Sequence, residues 1–324
     1  MKIFITLLFV TIFHFESFSQ TVSYDVPESL KGTVSQQDYE VIAKQSLSVV
    51  SARYPVDNLA NGTITIKGKQ AFNLDNIILK CAAEKDHSKW EAIIQDHFNS
   101  LFNSFDAQKK LDMANYDNVK SYLAIRIYPN PTIDQRGGTV NFVSRTDLDG
   151  TTSLVMLDLP QAFTPLLKAD FDKWNKTADE VFNTAIENLD KQKVEKMIKS
   201  FTIDGTQIEF IFIENENYAA SYALDLSKNS PDMVGDWGSA VVIPDKGLVS
   251  ICKISKAKPV DFVKYIQRMK PLMEQLYREH EGPVSNQFFW YYQGKFTPIQ
   301  VTVDDRGNVN VIAPQGLSNL MTEK

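Results

Sequence analysis

The chain has 324 residues, of which 43% are hydrophobic, 11% aromatic and 23% charged, with a formal net charge of −6. That composition is globular and excludes the disordered class, while the absence of a basic face with interleaved aromatics argues against nucleic-acid binding. Two cysteines, Cys81 and Cys252, are too few for a disulfide framework.

Residues 1–19 read as a secretory signal peptide. Lys2 supplies the positive end, residues 3–13 the apolar run, and Ser17 with Ser19 the small positions before a cut ahead of Gln20. The apolar run is shorter than the ~20 residues of a spanning helix. No later run is long enough either, so the expected product is periplasmic or secreted, with no membrane span after cleavage. The roughly 300 residues that remain suit one large or two ordinary domains.

Ser35 is positioned to cap a helix running to about Val50, with Tyr39, Ile42, Ala43 and Val50 on one face. After the Asn61-Gly62 turn signal, residues 63–67 alternate as a strand. Asn73 is placed to cap a short helix through Leu74, Ile77, Ile78 and Cys81. From Ser88, apolar residues at Trp90, Ile93, Ile94, His97, Phe98, Leu101 and Phe102 mark a longer helix. Residues 122–128 form a strand stopped by Pro129 and Pro131, and residues 139–144 with 153–158 are expected to pair as a hairpin.

Residues 160–175 change in texture and suggest a boundary between an N-terminal subdomain (20–165) and a C-terminal one (166–324). Thr177 and Glu180 then form a capping box ahead of a helical stripe through Val181, Phe182, Ala185, Ile186 and Leu189. Residues 201–203 and 207–213 predict a hairpin around Asp204-Gly205. The periodicity of residues 218–226 leaves helix and strand both open. A further hairpin joins residues 240–243 to 248–254. Pro259 begins a long helix ending at Gly282-Pro283, with Pro271 expected to kink or split it. Residues 288–292, 299–303 and 309–312 close the chain as strands. Short turns join most strands, so the expected class is α+β: antiparallel or mixed sheets built from hairpins, with helices packed on one face, in two subdomains.

Motif chemistry is sparse. His87, His97 and His280 follow the predicted cut. The Asp86-His87 and Asp96-His97 pairs hint at a metal, but ten helical positions turn the two rings about 80° apart, which favours a core His97 and an exposed His87. His280 suits the C-terminal end of a helix. Asp147 and Asp149 before Gly150 read as a turn rather than a calcium loop. Gly238-Ser239 has no elbow context, and dinucleotide, P-loop and zinc-protease motifs are missing. No metal and no cofactor are expected.

Asp158 and Asp225 are the acids most embedded in apolar sequence, and burial would raise their pKa toward that of a proton donor. Capping a strand or loop is the plainer role. In the aromatic run 288–292, Phe288, Trp290 and Tyr292 share one side of a strand. That side either lies under a helix or forms an exposed platform for a sugar or peptide. Cys81 and Cys252 read as two buried thiols, with a single bridge between them as the alternative.

Five segments resemble the YtpQ-like family of uncharacterised bacterial proteins: NLDNIILKC (73–81), YLAIRIYP (122–129), TADEVFNTAIENL (177–189), YAASYALDL (218–226) and VVIPDKGLV (241–249). The resemblance implies a domain of unknown function with no established catalytic residues to transfer. That family is mostly cytoplasmic, so an export signal is a departure from it. The expected function is a non-enzymatic module of the cell envelope that binds a small ligand or an envelope protein. The alternative is a metal-independent, carboxylate-dependent hydrolase acting on envelope glycans.

Overall fold

The computed structural model describes residues 21–67, 71–135, 137–160, 162–280 and 282–322. The expected signal peptide lies outside these residues. The chain separates into two compact units, one ending at Ser100 and the other running from Leu101.

In the first unit, strand β1 (Thr21–Val22) precedes helix α1 (Gln36–Ser51). Ser35 caps α1, its side chain accepting the Asp38 N–H. Strands β2 (Val56–Ala60), β3 (Thr63–Ile66) and β4 (Ala71–Asn73) complete a four-stranded sheet in the order β1-β2-β3-β4. Helix α2 (Asp75–Ala83) starts one residue later than its sequence suggests, with Leu74 at the cap. Asn73 instead accepts the Asp75 N–H. Helix α3 (Trp90–Lys109) contains the division between the units, and Asp86 caps the 3-10 turn before it.

The second unit continues with α4 (Tyr116–Val119), β5 (Leu123–Pro129), α5 (Asn130–Gln135), β6 (Ser144–Arg145), β7 (Thr151–Leu159) and β8 (Ala162–Pro165). Next come α6 (Lys168–Phe171), α7 (Ala178–Leu189), β9 (Glu195–Ile203), β10 (Thr206–Glu214), α8 (Ala219–Tyr222) and α9 (Leu226–Asn229). The last elements are β11 (Ser239–Asp245), β12 (Leu248–Lys253), α10 (Asp261–Glu279), β13 (Phe288–Tyr292), β14 (Lys295–Val303), β15 (Val309–Ile312) and α11 (Gln315–Thr322). The fold is therefore α+β with three sheets.

The main sheet of the second unit has the order β15-β14-β13-β11-β12-β10-β9 and is antiparallel throughout. Alternation along its strands gives two apolar faces. Ile211, Ile213, Val241, Ile251, Phe289 and Tyr291 face one core, shared with α7 and with the inward residues of β5 and β7. Phe210, Val242, Cys252, Phe288 and Trp290 face the other, under Phe262, Tyr265, Ile266 and Met269 of α10. The capping box of α7 forms as its sequence predicts: Thr177 accepts the Glu180 N–H, and Glu180 accepts the Thr177 N–H. Such a cap stabilises a helix by about 1 kcal/mol.

Several expectations change. The boundary expected near residue 165 lies inside the second unit, because β8 pairs with β7 and residues on both sides of it share one core. Strand β6 holds two residues rather than a full hairpin arm, since β7 takes β5 as its long partner. Of residues 218–226, Tyr218 caps α8 and 219–226 are helical. Helix α10 runs unbroken through Pro271 and ends at Glu279. Among the described residues, no helix is long and apolar enough to cross a membrane.

Candidate functional site

The end of the main sheet carries a cleft of about 410 Å³. Its floor is Cys252 at the end of β12. One wall is the loop before β11, with Asp232, Gly235 and Asp236; the other is the segment entering α10, with Lys258 and Asp261. Glu209 of β10 and Lys253 of β12 complete the charged rim. The volume is at the small end of the range for ligand pockets.

Residues 235–238 (Gly-Asp-Trp-Gly) hold the first wall by backbone bonds. The Gly235 N–H donates to the Gly238 carbonyl at 3.1 Å, and the Gly238 N–H donates back at 2.9 Å. The loop is tied to the residue after β12 by Trp237 N–H to the Ile254 carbonyl (3.0 Å) and Ile254 N–H to the Gly238 carbonyl (2.9 Å). This close approach requires glycine. A Cβ on Gly235 would lie 2.3 Å from the Ile254 carbonyl oxygen, and one on Gly238 (φ +81°) would lie 2.2 Å from the Tyr291 carbonyl oxygen. From the core, the Trp290 Nε1–H donates to the Trp237 carbonyl at 2.7 Å.

The chemistry of the cleft favours holding over reacting. Burial, then the nearby Asp261 charge, pushes the Cys252 thiol up to about 12. At neutral pH it is protonated and a poor nucleophile. The Asp261 side chain is 12% exposed, and among the described residues its carboxylate accepts no hydrogen bond from another protein group. Its nearest cation is Lys258 Nζ at 3.9 Å, an exposed ammonium beyond hydrogen-bond reach.

The residues singled out in the sequence lie elsewhere. Asp158 is on the outer face of β7, where its Oδ2 accepts the Tyr218 hydroxyl at 2.6 Å. Burial and that carboxylate push Tyr218 up to about 12. Nearby, the Arg126 guanidinium lies 3.9 Å from the Phe163 ring centroid and donates to Asn217 Oδ1 at 3.1 Å. Asp225 follows α8; burial raises its pKa, and the Asp190 charge adds to that, while Lys228 opposes it. Lys228 itself pairs with Asp190 at 3.0 Å. Asp158 and Asp225 therefore belong to separate clusters, and neither lines the cleft.

The aromatic platform is overturned. Phe288 and Trp290 are buried in the core beneath α10, and Tyr292 is half-buried, stacked on Trp290 at 5.0 Å. Phe289 and Tyr291 fill the opposite core, so the strand is covered on both sides. The bridge between Cys81 and Cys252 is also absent: both thiols are free, each buried in its own unit. His97 is half-buried and edge-on to Phe98 rather than fully in the core, and His87 stacks on Trp90 at 3.9 Å. Asp147 pairs with Arg145 at 2.9 Å. Ser239 is buried and donates to the Met233 carbonyl. Among the described residues, no group of three or more His, Cys, Asp or Glu side chains could hold a metal ion.

One polar pair escaped the sequence reading. Asp245, at a bulge in β11, is buried, and its Oδ1 accepts the Gly247 N–H at 2.7 Å. His280 Nε2 faces it at 3.8 Å, while His280 Nδ1 accepts the Gly282 N–H at 3.0 Å. That bond leaves the ring proton of a neutral His280 on Nε2, toward the carboxylate. Burial raises the Asp245 pKa against the Gly247 bond and the His280 charge.

The folded state thus binds the Asp245 proton more tightly than the unfolded state does. The Asp245 contribution to stability falls as pH rises from about 4 through the raised pKa, and is constant above it. Asp245→Asn keeps an oxygen for the Gly247 N–H and removes this decline. Thermal melts of both proteins from acid to neutral pH should therefore diverge in the variant's favour as pH rises. Parallel curves would show that Asp245 is not the group responsible.

No protein-family model, no curated protein and no solved structure matches this chain. The fold and the cleft are the ground for a functional reading.

Proposed function

We propose that this chain is an exported, non-enzymatic binding protein of the cell envelope, and that a small ligand is held in the cleft between the Gly-Asp-Trp-Gly loop and the start of α10. The signal-like sequence of residues 1–19 supports the address. The observation that carries the binding role is the wall itself. Four backbone hydrogen bonds and two glycines that admit no side chain hold a concave surface over a protonated thiol. A wall fixed in advance lowers the ordering cost of binding, and a thiol kept protonated supplies no nucleophile.

The test is native mass spectrometry of the protein purified from its own host, alongside Ser255→Trp, which places a large ring at the lining of the cleft. The wild type is expected to carry a bound small molecule that the variant lacks. A ligand retained equally by both proteins would locate binding elsewhere and end this reading.

A further inference from the structure

A cut after Ser19 leaves Gln20 as the first residue of the exported chain. Inside a chain the backbone nitrogen of a glutamine is an amide and does not attack a carbonyl. At a new terminus it is a free α-amine. Such amines titrate at about 8, so a share is neutral and nucleophilic at neutral pH. The side-chain amide carbon of the same residue then lies within reach of a five-membered ring, and an intramolecular attack of this kind is favoured by proximity.

The fold gives that terminus something to protect. Gln20 itself lies outside the described residues, and β1 directly follows it. β1 is an edge strand of two residues, paired in parallel with β2, Thr21 against Asn58 and Val22 against Leu59. The Ser23 N–H extends the contact by donating to the Leu59 carbonyl at 2.8 Å. A cut before Gln20 leaves β1 whole with one residue ahead of it, whereas a cut further on would take Thr21 out of the ladder. Val56 and Leu59 of β2 are buried, so stripping β1 would unpair the edge of a strand that belongs to the core of the first unit. Chain ends open most easily, and proteolysis concentrates there. An exopeptidase that recognises a free α-amine has a single residue to remove before it reaches β1.

We propose that Gln20 is a modification site: after cleavage it closes to a pyroglutamyl residue, which blocks the mature terminus and keeps β1 in its sheet. This rests on the export reading. In the step, the α-amine nitrogen bonds to the side-chain amide carbon Cδ. The Cδ–Nε2 bond breaks, and Nε2 leaves as ammonia with the proton that the amine gives up. Nothing is oxidised or reduced, no cofactor is needed, and the chain becomes lighter by one ammonia. A lactam N–H replaces the terminal ammonium, so one positive charge is lost as well. Aminopeptidases that bind a free α-amine then find none.

Mass spectrometry of the intact protein and of its terminal peptide, taken from the host envelope, tests this. Cells are quenched in acid, which protonates the amine and stops ring closure during handling. Gln20→Ala is the variant that cannot form the ring; it retains Ser17 and Ser19, so the cut is kept. The expected result is a wild-type chain that starts at Gln20 and is lighter by one ammonia, and a variant that starts at the same position with a free amine. A wild-type chain with a free α-amine on Gln20, or one that starts at any other residue beyond the signal, overturns the modification and leaves the export reading standing. A chain that retains residues 1–19 ends both. Digestion of the two folded proteins with a broad-specificity aminopeptidase then reads the protective role. Thr21 and Val22 are expected to be lost from the variant and retained in the wild type. Equal trimming of both proteins, or equal resistance, refutes protection of β1 by the ring.

Discussion

Gly238→Ala should unfold the second unit or bring it close to unfolding, whereas Gly307→Ala should be mild. Both glycines have nearly the same backbone angle, φ +81° and +82°. A residue with a Cβ pays about 1–2 kcal/mol in that left-handed region. At Gly307 nothing lies within 4 Å of the added carbon, so the cost ends there. At Gly238 the Cβ would lie 2.2 Å from the Tyr291 carbonyl oxygen and 3.0 Å from Trp290 Nε1. The Tyr291 backbone is not free to retreat, because β13 is laddered to β11 on one side and β14 on the other. The loop must move instead, and it then loses the bonds that the Gly238 carbonyl accepts from Gly235 and Ile254. Each is worth about 1 kcal/mol. Together with the strain this comes to about 3–4 kcal/mol, a large share of the roughly 5–15 kcal/mol of a whole domain. Urea unfolding followed by tryptophan fluorescence checks it: equal midpoint shifts for the two variants would refute the close approach.

That pair of glycines shows where the sequence was readable and where it was not. Local chemistry was legible. Ser35 and Thr177 cap the helices they precede, and residues 288–292 form a strand because alternating aromatics suit a pleated surface. Three elements escaped for separate reasons. Much of β9 is hidden because its exposed Lys196 and Lys199 blur the alternation, as charges on an edge strand do. β8 is framed by Pro160 and Pro165, which read as a linker. α11 is eight residues long and carries Gly316 in its first turn, so its stripe is short.

The cleft was illegible for a deeper reason. Its lining comes from β10, the loop before β11, the end of β12 and the start of α10, and no local spacing brings Glu209, Asp232, Cys252 and Asp261 together. Asp158 and Asp225 stood out because embedded acids are visible in sequence, yet the groups that set their environments, the Tyr218 hydroxyl and the repelling Asp190 charge, lie far along the chain. One signal was present. Gly235 and Gly238 bracket an Asp-Trp pair with no obvious turn to make, and glycines so placed mark a close backbone approach.

The aromatic run, for which the sequence left a covered strand and an exposed platform both open, is expected to act on the cleft from behind. Trp290 is 7% exposed, stacks on Tyr292, and faces Gly316, where a Cβ would meet its ring at 2.9 Å. Trp290→Ala should cost about 3–5 kcal/mol from lost burial and the void left behind. Trp290→Phe is the more informative change. It keeps an aromatic ring in the core but removes the Nε1–H that the Trp237 carbonyl accepts at 2.7 Å. That carbonyl then lacks this donor, at about 1–3 kcal/mol. The loss falls on the loop rather than on the sheet, because β11, β12 and β13 keep their ladder bonds. Local opening of residues 235–238 should therefore become easier while global stability falls modestly. Amide hydrogen exchange should accelerate at Trp237 and Ile254, whose bonds tie the loop down, and stay nearly unchanged at Val241 and Ile251 within the strands. Affinity for whatever the cleft holds should fall with it, although Trp290 does not line the cleft. Uniform acceleration across the sheet would mean instead that the indole supports the core and not the wall.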